Sequence, residues 1–422
     1  MSPPTFNCIS DAIPDLTGRL IDHESLELVE LLGSGAYGVV YRAVETTPST
    51  SSNPREFAVK VLVRFNFGHE QAKAQHREIN LHSKVSSHPN IIAIDRIVKD
   101  DENYIFVVMD FCRAGDMCNA IIERQIYYRD DALVKQVFTQ LIDAVEYCHD
   151  RGVYHRDLKP DNILCSADGS QVYVADFGCS TSRHATGESQ MGTSSFMSPP
   201  HFYKDRSEMS FSSSDSDVWA LGIILINMLS ASSPWSYASL DDPYFSRFVF
   251  EPDYLLQTMP ISRQANYLLR RILAYKTYSR ISLSELRQEV AKVETFFMTD
   301  NEVRGAPMSV RKLDMRCRNI YENGVRERER ARVEKSDVPA LTQESSDSGS
   351  ECSEAITPET HPVQPDIEIV EALDELALGG SVVEAPVPVS HSKDSRTVWR
   401  SKVQAQSDTC SSMDSDNAWI LV

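Results

Sequence analysis

Basic charge is scarce in this 422-residue chain: 42 Lys and Arg stand against 61 Asp and Glu, a formal net charge of −19. A nucleic acid or an anionic membrane surface needs a cationic face, so neither is expected as a main partner. No uninterrupted apolar run approaches the roughly 18 residues of a membrane span. The nine cysteines contain no CxxC pair. They stand singly, mostly inside apolar runs, where a free thiol packs as a small hydrophobe, and nothing in that pattern asks for an oxidising compartment. No cleavable leader is expected either, because Pro3, Pro4 and Asp11 precede any apolar block. The expectation is a soluble, intracellular chain, cytoplasmic or nuclear.

What is present divides along the chain. Residues 1–25 form a polar, irregular extension. From Leu26 the pattern is strand-like at 26–32, 39–44 and 57–62, with the Ser/Thr/Pro-rich stretch 46–56 as an exposed connection. Residues 71–85 read as a helix, and further strands are expected around 91–98 and 104–109. After Gly115 helical spacing takes over: Leu133, Val137, Leu141, Val145 and Cys148 mark one helix, and 218–229, 262–274 and 282–297 mark others. The fold class is therefore α+β, with five mostly antiparallel strands and one inserted helix preceding a larger, mainly helical lobe. Residues 299–340, with Arg326-Glu327-Arg328-Glu329-Arg330, are a charged linker or a solvated helix. From 341 to 422 Ser, Asp, Glu and Pro dominate, acidic side chains outnumber basic ones several-fold, and aromatics nearly vanish. Such a tail cannot bury enough apolar area to offset backbone ordering of about 1–2 kcal/mol per residue, so it is expected to be disordered.

Gly33-Ser34-Gly35-Ala36-Tyr37-Gly38-Val39-Val40 lies between two strand patterns. Glycines let a backbone approach phosphates closely, although such a motif by itself is equally a turn. No helix pattern opens after Gly38, which disfavours a dinucleotide-binding motif. Lys60 closes the third strand as Phe57-Ala58-Val59-Lys60. A lysine there is usually a solvated edge residue. Here it would sit beneath the glycine loop with Glu78 on the next helix, and an ammonium held by one carboxylate can be aimed at phosphate oxygens. Downstream, His155-Arg156-Asp157-Leu158-Lys159-Pro160-Asp161-Asn162 and Asp176-Phe177-Gly178 supply a candidate proton acceptor (Asp157), a phosphate-facing cation (Lys159) and two candidate metal ligands, Asn162 and Asp176. Each acid alone could be a loop residue or a helix cap; their joint spacing is not explained that way.

With His88-Pro89-Asn90-Ile91, Asp217-Val218-Trp219-Ala220-Leu221-Gly222 and Arg280 in the same order, the chain resembles eukaryotic protein kinases over roughly residues 26–297. The resemblance implies a bilobal protein-kinase fold at 26–298, divided into lobes 26–111 and 112–298. It implies that Lys60 and Glu78 pair, that Asp157 accepts or orients the substrate hydroxyl proton, and that Lys159 steadies the transferring phosphoryl group. Asn162 and Asp176 would hold two magnesium ions. ATP binding would draw on Gly33, Ser34, Gly35, Ala36, Tyr37, Gly38, Val40, Ala58 and Lys60. Met109 would be the gatekeeper, Asp110, Phe111 and Cys112 the hinge, and Asp116 the acceptor for ribose hydroxyls. Lys159-Pro160 resembles serine/threonine-specific members. The activation segment 176–200 carries Thr181, Thr186 and Thr193 among many hydroxyls. A phosphate there could pair with Arg156, though hydroxyl-rich loops are also simply hydrophilic; Thr193, after Gly192, is expected to bond Asp157 and Lys159. Implied partners are ATP, protein substrates and regulators of the acidic tail, with the chain a monomer. Leu16-Thr17-Gly18, Leu81-His82 with Val85-Ser86-Ser87-His88-Pro89-Asn90, and Met197-Ser198-Pro199 resemble the fungal Ran/Pat-type kinases linked to meiosis and nutrient control.

Two positions depart from the family. The activation segment ends Ser198-Pro199-Pro200 where Ala-Pro-Glu is usual, so the carboxylate partner of Arg280 is absent. A buried arginine without a partner is costly, and Asp205 or Glu208 is expected to substitute. This departure is also the best support for the alternative of a catalytically weak pseudokinase or scaffold. His82 stands where an apolar residue is usual, and a neutral packed histidine is expected, with a pH-sensitive one as the alternative. In the tail, Ile369, Leu373, Leu376 and Leu378 have the spacing of a nuclear export signal or of a short docking helix stopped by Gly379-Gly380, and Thr357-Pro358 is a candidate phosphosite.

Overall fold

Strand alternation at the start of the chain produces one curved sheet with two unlike faces. The computed structural model describes residue 10 and residues 13–35, 38–47, 54–65, 69–99, 103–186, 192–202 and 211–336, with side chains to 326. The tail motifs at 357–358 and 369–378 lie outside the described residues, as do Ala36, Tyr37, Asp205 and Glu208.

The first lobe contains β1 (Leu20–Ile21), β2 (Leu26–Ser34), β3 (Gly38–Glu45), β4 (Glu56–Val63), α1 (Glu70–Ser83), β5 (Ile94–Val98) and β6 (Tyr104–Asp110). The strands pair antiparallel in the order β1-β2-β3-β4-β6-β5. Five strands were expected; the sixth is β1, whose Leu20 and Ile21 pair with Glu27 and Leu26. Two residues are too few to display a period of two. The expected polar extension is in part core. Ile13, Leu16 and Ile21 are buried with Leu28, Tyr41, Val59 and Phe106, while Ile79 of α1 packs with Leu62, Ile105 and Val107. Since neighbouring strand residues point to opposite faces, the extension covers one face of the sheet and α1 the other. Tyr41 fastens it: the phenol oxygen accepts from the Leu16 N–H (3.0 Å) and donates to Asp15 (3.3 Å). β5 begins at Ile94 and not at 91, because Ile91 bridges to Val174 of the second lobe instead.

The second lobe contains α2 (Met117–Ile122), α3 (Asp131–Asp150), β7 (Ile163–Cys165), β8 (Val172–Val174), β9 (Ala185–Thr186), β10 (Phe211–Ser212), α4 (Ser213–Ser230), α5 (Pro243–Phe250), α6 (Tyr254–Thr258), α7 (Arg263–Ile272), α8 (Leu283–Lys292), α9 (Asp300–Gly305) and α10 (Met308–Ser336). Val134, Val137, Phe138, Leu141, Ile142, Val145 and Cys148 form the buried face of α3. α4, nearly continuous in apolar residues, is buried almost all round, as a helix apolar on every side must be. Asp130, Ser212, Asp242, Ser262, Ser282 and Thr299 each accept a backbone N–H at a helix start. The helix expected over 282–297 stops at Lys292; beyond it the chain is extended, with Phe297 bridging Ile261 and the Phe296 carbonyl accepting from Ser262.

The charged stretch after residue 299 is a packed helix pair and not an open linker. Val310, Asp314 and Cys317 of α10 are buried, with Leu313 and Tyr321 beside them, so a contact stripe at helical spacing is hidden among charges. Asp314 accepts from the Tyr128 hydroxyl (3.0 Å) and from Arg129 (3.0 Å), and the Cys317 thiol points at the Ser230 carbonyl (3.6 Å).

Candidate active site

The functional side chains come from the interiors of β4 and α1 and from the loops that follow the later elements. The ends of β2 and β3 bring Gly33 opposite Val40 and Ser34 opposite Val39, and the Gly35 N–H donates to the Gly38 carbonyl (2.9 Å). Gly38 is obligatory: a Cβ there would lie 2.3 Å from the Val61 carbonyl oxygen. Lys60, on β4, pairs across the sheet with Val40 and Val107. Its ammonium contacts the Glu78 carboxylate of α1 and lies 3.1 Å from Asp176 Oδ1. Burial alone would lower the Lys60 pKa, but Asp176 and Glu78 outweigh it and hold the ammonium firmly protonated. In return, Lys60 holds Asp176 down at about 2, against the opposing effect of burial. Asp176 lies deep between the lobes, yet 53% of its side-chain area opens to the cleft.

Below the cleft, the catalytic loop is fixed from behind. Asp217, 1% exposed near the start of α4, accepts from the backbone N–H groups of His155 (2.9 Å) and Arg156 (2.7 Å) and contacts His149 Nε2 (2.8 Å). Arg156 has φ 66°, a left-handed conformation that costs a side-chain-bearing residue energy; both its amide and, through Nε to the Cys179 carbonyl (2.9 Å), its guanidinium are tied down. Asp157 then meets four donors. Oδ1 accepts from the Thr193 N–H (2.9 Å) and hydroxyl (3.0 Å), and Oδ2 from Lys159 (2.9 Å) and the Asn162 amide (3.1 Å). Lys159 also reaches the Thr193 hydroxyl (3.0 Å). Gly192 makes this approach possible, with φ +108° and its would-be Cβ 2.7 Å from the Arg156 carbonyl.

The remaining expected residues fall as follows. Ala58 and Met109 are cross-strand neighbours at the back of the cleft, with Asp110 closing β6. The Cys112 thiol donates to the Cys165 carbonyl (3.0 Å), fastening the hinge to β7. Asp116 caps α2, accepting from Asn119 (2.7 Å), and remains half-buried at the cleft mouth. Thr181 is buried and accepts from the Arg183 N–H (3.2 Å), while its backbone pairs with Tyr154; Thr186 lies in β9 opposite Phe211. At the segment's end Ser198 is buried against His201 (3.1 Å) and Ser216 (3.3 Å). Arg280 donates to the carbonyls of Asp215 (2.9 Å) and Ala274 (3.1 Å) and lies over the Trp219 ring. The expected substitutes Asp205 and Glu208 fall outside the described residues, but backbone carbonyls and an aromatic face already serve this guanidinium.

Sequence reasoning passed over His149, Tyr154 and Cys179 as supports of the loop. A histidine ending an amphipathic helix reads as an ordinary C-terminal basic residue, and backbone pairings such as Tyr154 with Thr181 leave no residue-type signature.

Fold and site together define a two-lobed phosphotransferase, and the protein kinase domain family matches residues 26–290: the chain belongs to that family. It is 38% identical over 315 residues to the negative regulator of sexual conjugation and meiosis of Schizosaccharomyces pombe, covering 70% of this chain and 65% of that protein. It is 29% identical to the serine/threonine-protein kinase VHS1 of Saccharomyces cerevisiae, over 63% of this chain and 69% of VHS1. With the serine/threonine-protein kinase ksp1 of Schizosaccharomyces pombe the identity is 28%, over 67% of this chain and 60% of ksp1. The match thus spans about two thirds of these relatives' own lengths. Their fungal origin agrees with the subgroup resemblance carried by Leu16-Thr17-Gly18 and Leu81-His82.

Proposed function

We propose that the protein transfers the terminal phosphoryl group of ATP to serine and threonine hydroxyls of protein substrates. The observation that carries this reading is the position of Lys60, held by Glu78 from one lobe and by Asp176 from the other. That arrangement places a fixed ammonium where phosphate oxygens would lie and brings the two lobes into register. Thr193 and Lys159 orient the Asp157 carboxylate, which is poised to accept a hydroxyl proton from the substrate. Lys159, beside it, offers positive charge to the oxygens of the group in flight.

The residues fit a divalent cation. Asp176 is ionised and open to the cleft, and the Asn162 nitrogen is committed to Asp157, which leaves its oxygen as the donor. Two oxygen donors without thiol or imidazole suit a hard ion such as magnesium. Among the described residues no cluster of three or more His, Cys, Asp or Glu is assembled, in keeping with an ion completed by phosphate and water. Bound there by Asn162 and Asp176, magnesium would neutralise charge on the phosphate oxygens. Tail-binding regulators and a cytoplasmic or nuclear location complete the proposal.

The test is radiolabelled phosphate incorporation into a peptide library. Asp157→Asn and Asp176→Asn are each expected to lower kcat by about 10³-fold, with label confined to serine and threonine. Wild-type incorporation no higher than that of Asp176→Asn would remove the enzyme reading.

A further inference from the structure

α10 is fastened to the second lobe along one side only. Val310, Asp314 and Cys317 are buried there, with Leu313 and Tyr321 packed beside them. On the opposite side Met308 and Met315 are 57% and 61% exposed. Being seven residues apart, they share one line of the helix. Arg311 and Lys312 flank that line, both exposed, and among the described residues neither meets a carboxylate. By contrast Arg318 is taken by Asp300 (2.9 Å) and Arg326 by Glu322 (3.3 Å). The outer face therefore offers two apolar side chains between two open cations, on a helix whose backbone is already fixed.

One motif of the tail has the complementary pattern. Residues 366–378 carry Asp366, Glu368, Glu371, Asp374 and Glu375 and no basic side chain. Helical spacing would put Ile369, Leu373 and Leu376 on one stripe, with Glu368 and Glu375 along its edge. The chain can also make the return. Met315 lies roughly 30 Å back from Ser336 along α10, at 1.5 Å per residue. A flexible chain as long as 337–365 has a root-mean-square span of about 30 Å. When linker and distance match in this way, the tethered segment is present at a local concentration of about 1 mM, far above that of a second copy in dilute solution. The groove between α7 and α8, where Tyr267 is 61% exposed, suits an acidic segment less well: Glu289 lies within it and takes Lys292 (2.7 Å).

We propose that the outer face of α10 is the docking site for this chain's own segment 366–378. Ile369, Leu373 and Leu376 cover Met308 and Met315, and the flanking acids meet Arg311 and Lys312. The site goes beyond the kinase reading and does not depend on it. It also gives tail-binding regulators a competitor, since a protein that takes this segment must first draw it off α10.

The experiment uses the full chain and two readouts: amide hydrogen exchange over 366–378, and carbodiimide cross-linking, which joins a lysine amine to a carboxylate in contact with it. Wild-type exchange there should be about tenfold slower than in Leu373→Asp/Leu376→Asp, as a local concentration of about 1 mM gives for an intrinsic Kd of about 0.1 mM. Lys312 should cross-link to acids of 366–378 within monomers, and that product should fall in the same variant. Arg311→Glu/Lys312→Glu should speed exchange of the segment, and adding Glu368→Lys/Glu375→Lys should slow it again. Equal exchange in the wild type and in Leu373→Asp/Leu376→Asp would overturn the proposal. So would slow exchange that survives Arg311→Glu/Lys312→Glu, which puts the segment elsewhere, or cross-links confined to dimers, which makes the occupant a second copy. Should the charge-reversed helix fail to fold, the tail variant and the cross-link map decide by the same criteria. Neither readout needs turnover, so a chain that transferred no phosphate would end the kinase reading and leave this test standing.

Discussion

Arg156 and Asp176 both hold left-handed backbone, at φ 66° and 59°, without being glycine. Such conformations cost on the order of 1–3 kcal/mol each, and here they are met by specific supports: Asp217 for the first and Lys60 for the second. The reacting residues themselves were legible in the sequence, because phosphate, metal and proton chemistry each demand a particular residue type at a fixed spacing. Their supports were less so, since a hydrogen bond to a backbone amide can come from many residues at many separations. His82 is a case where residue type did carry the message, as a polar ring in an apolar place. Burial, together with the nearby Lys60 ammonium and His155, lowers its pKa to about 4, against the opposing effects of the Ile92 carbonyl and Asp176. The unfolded chain therefore takes up this proton first as pH falls, and the folded state loses stability between about pH 6.5 and 4. Urea unfolding at pH 7 and pH 5 should show the wild type losing about 2 kcal/mol more than His82→Leu over that interval. Equal losses would contradict the neutral, buried histidine.

Among the elements, those with a long period were readable and those built from two or three residues were not. α3 and α4 announced themselves by spacing, whereas β1, β9 and β10 pair only two residues each and exist because their neighbours hold them. The start of β5 was misread because Ile91, strand-like in composition, is claimed by Val174 across the lobes. α10 hid its docking stripe for a different reason: Asp314 is a core residue there, and a buried acid partnered by Tyr128 and Arg129 looks in sequence like one more surface charge. The turn before Thr193 gives a sharper expectation. Replacing Gly192 by alanine would drive a Cβ into the Arg156 carbonyl and disfavour φ +108°, shifting Thr193 off Asp157. Such a variant should lose about tenfold or more in kcat while its KM for ATP, set mainly by the other lobe, is unchanged; steady-state kinetics on Gly192→Ala provide the check.

For the whole molecule, the order of motifs was enough to read two lobes and the cleft between them, but not where the second lobe ends. The family match stops at residue 290, yet Val303, Val310, Asp314 and Cys317 are buried against the lobe. A chain cut after residue 336 should keep the wild-type melting temperature and kcat. Cutting after residue 298 should strip roughly 3–5 kcal/mol of packing and buried polar contacts, lowering the melting temperature by roughly 10 °C in a calorimetric scan. The same contacts bear on how the protein is made. Asp314 bonds Tyr128 and Arg129 across 186 and 185 positions of chain. The last strand of the first sheet ends at Asp110, so that lobe can close early during synthesis. The second lobe must wait roughly 10–40 s longer, at 5–20 residues per second, before Cys317 emerges to cover Ser230. Throughout that interval the nascent chain carries a finished small lobe ahead of an open large one, and it is the large lobe's uncovered floor that would engage chaperones on the ribosome.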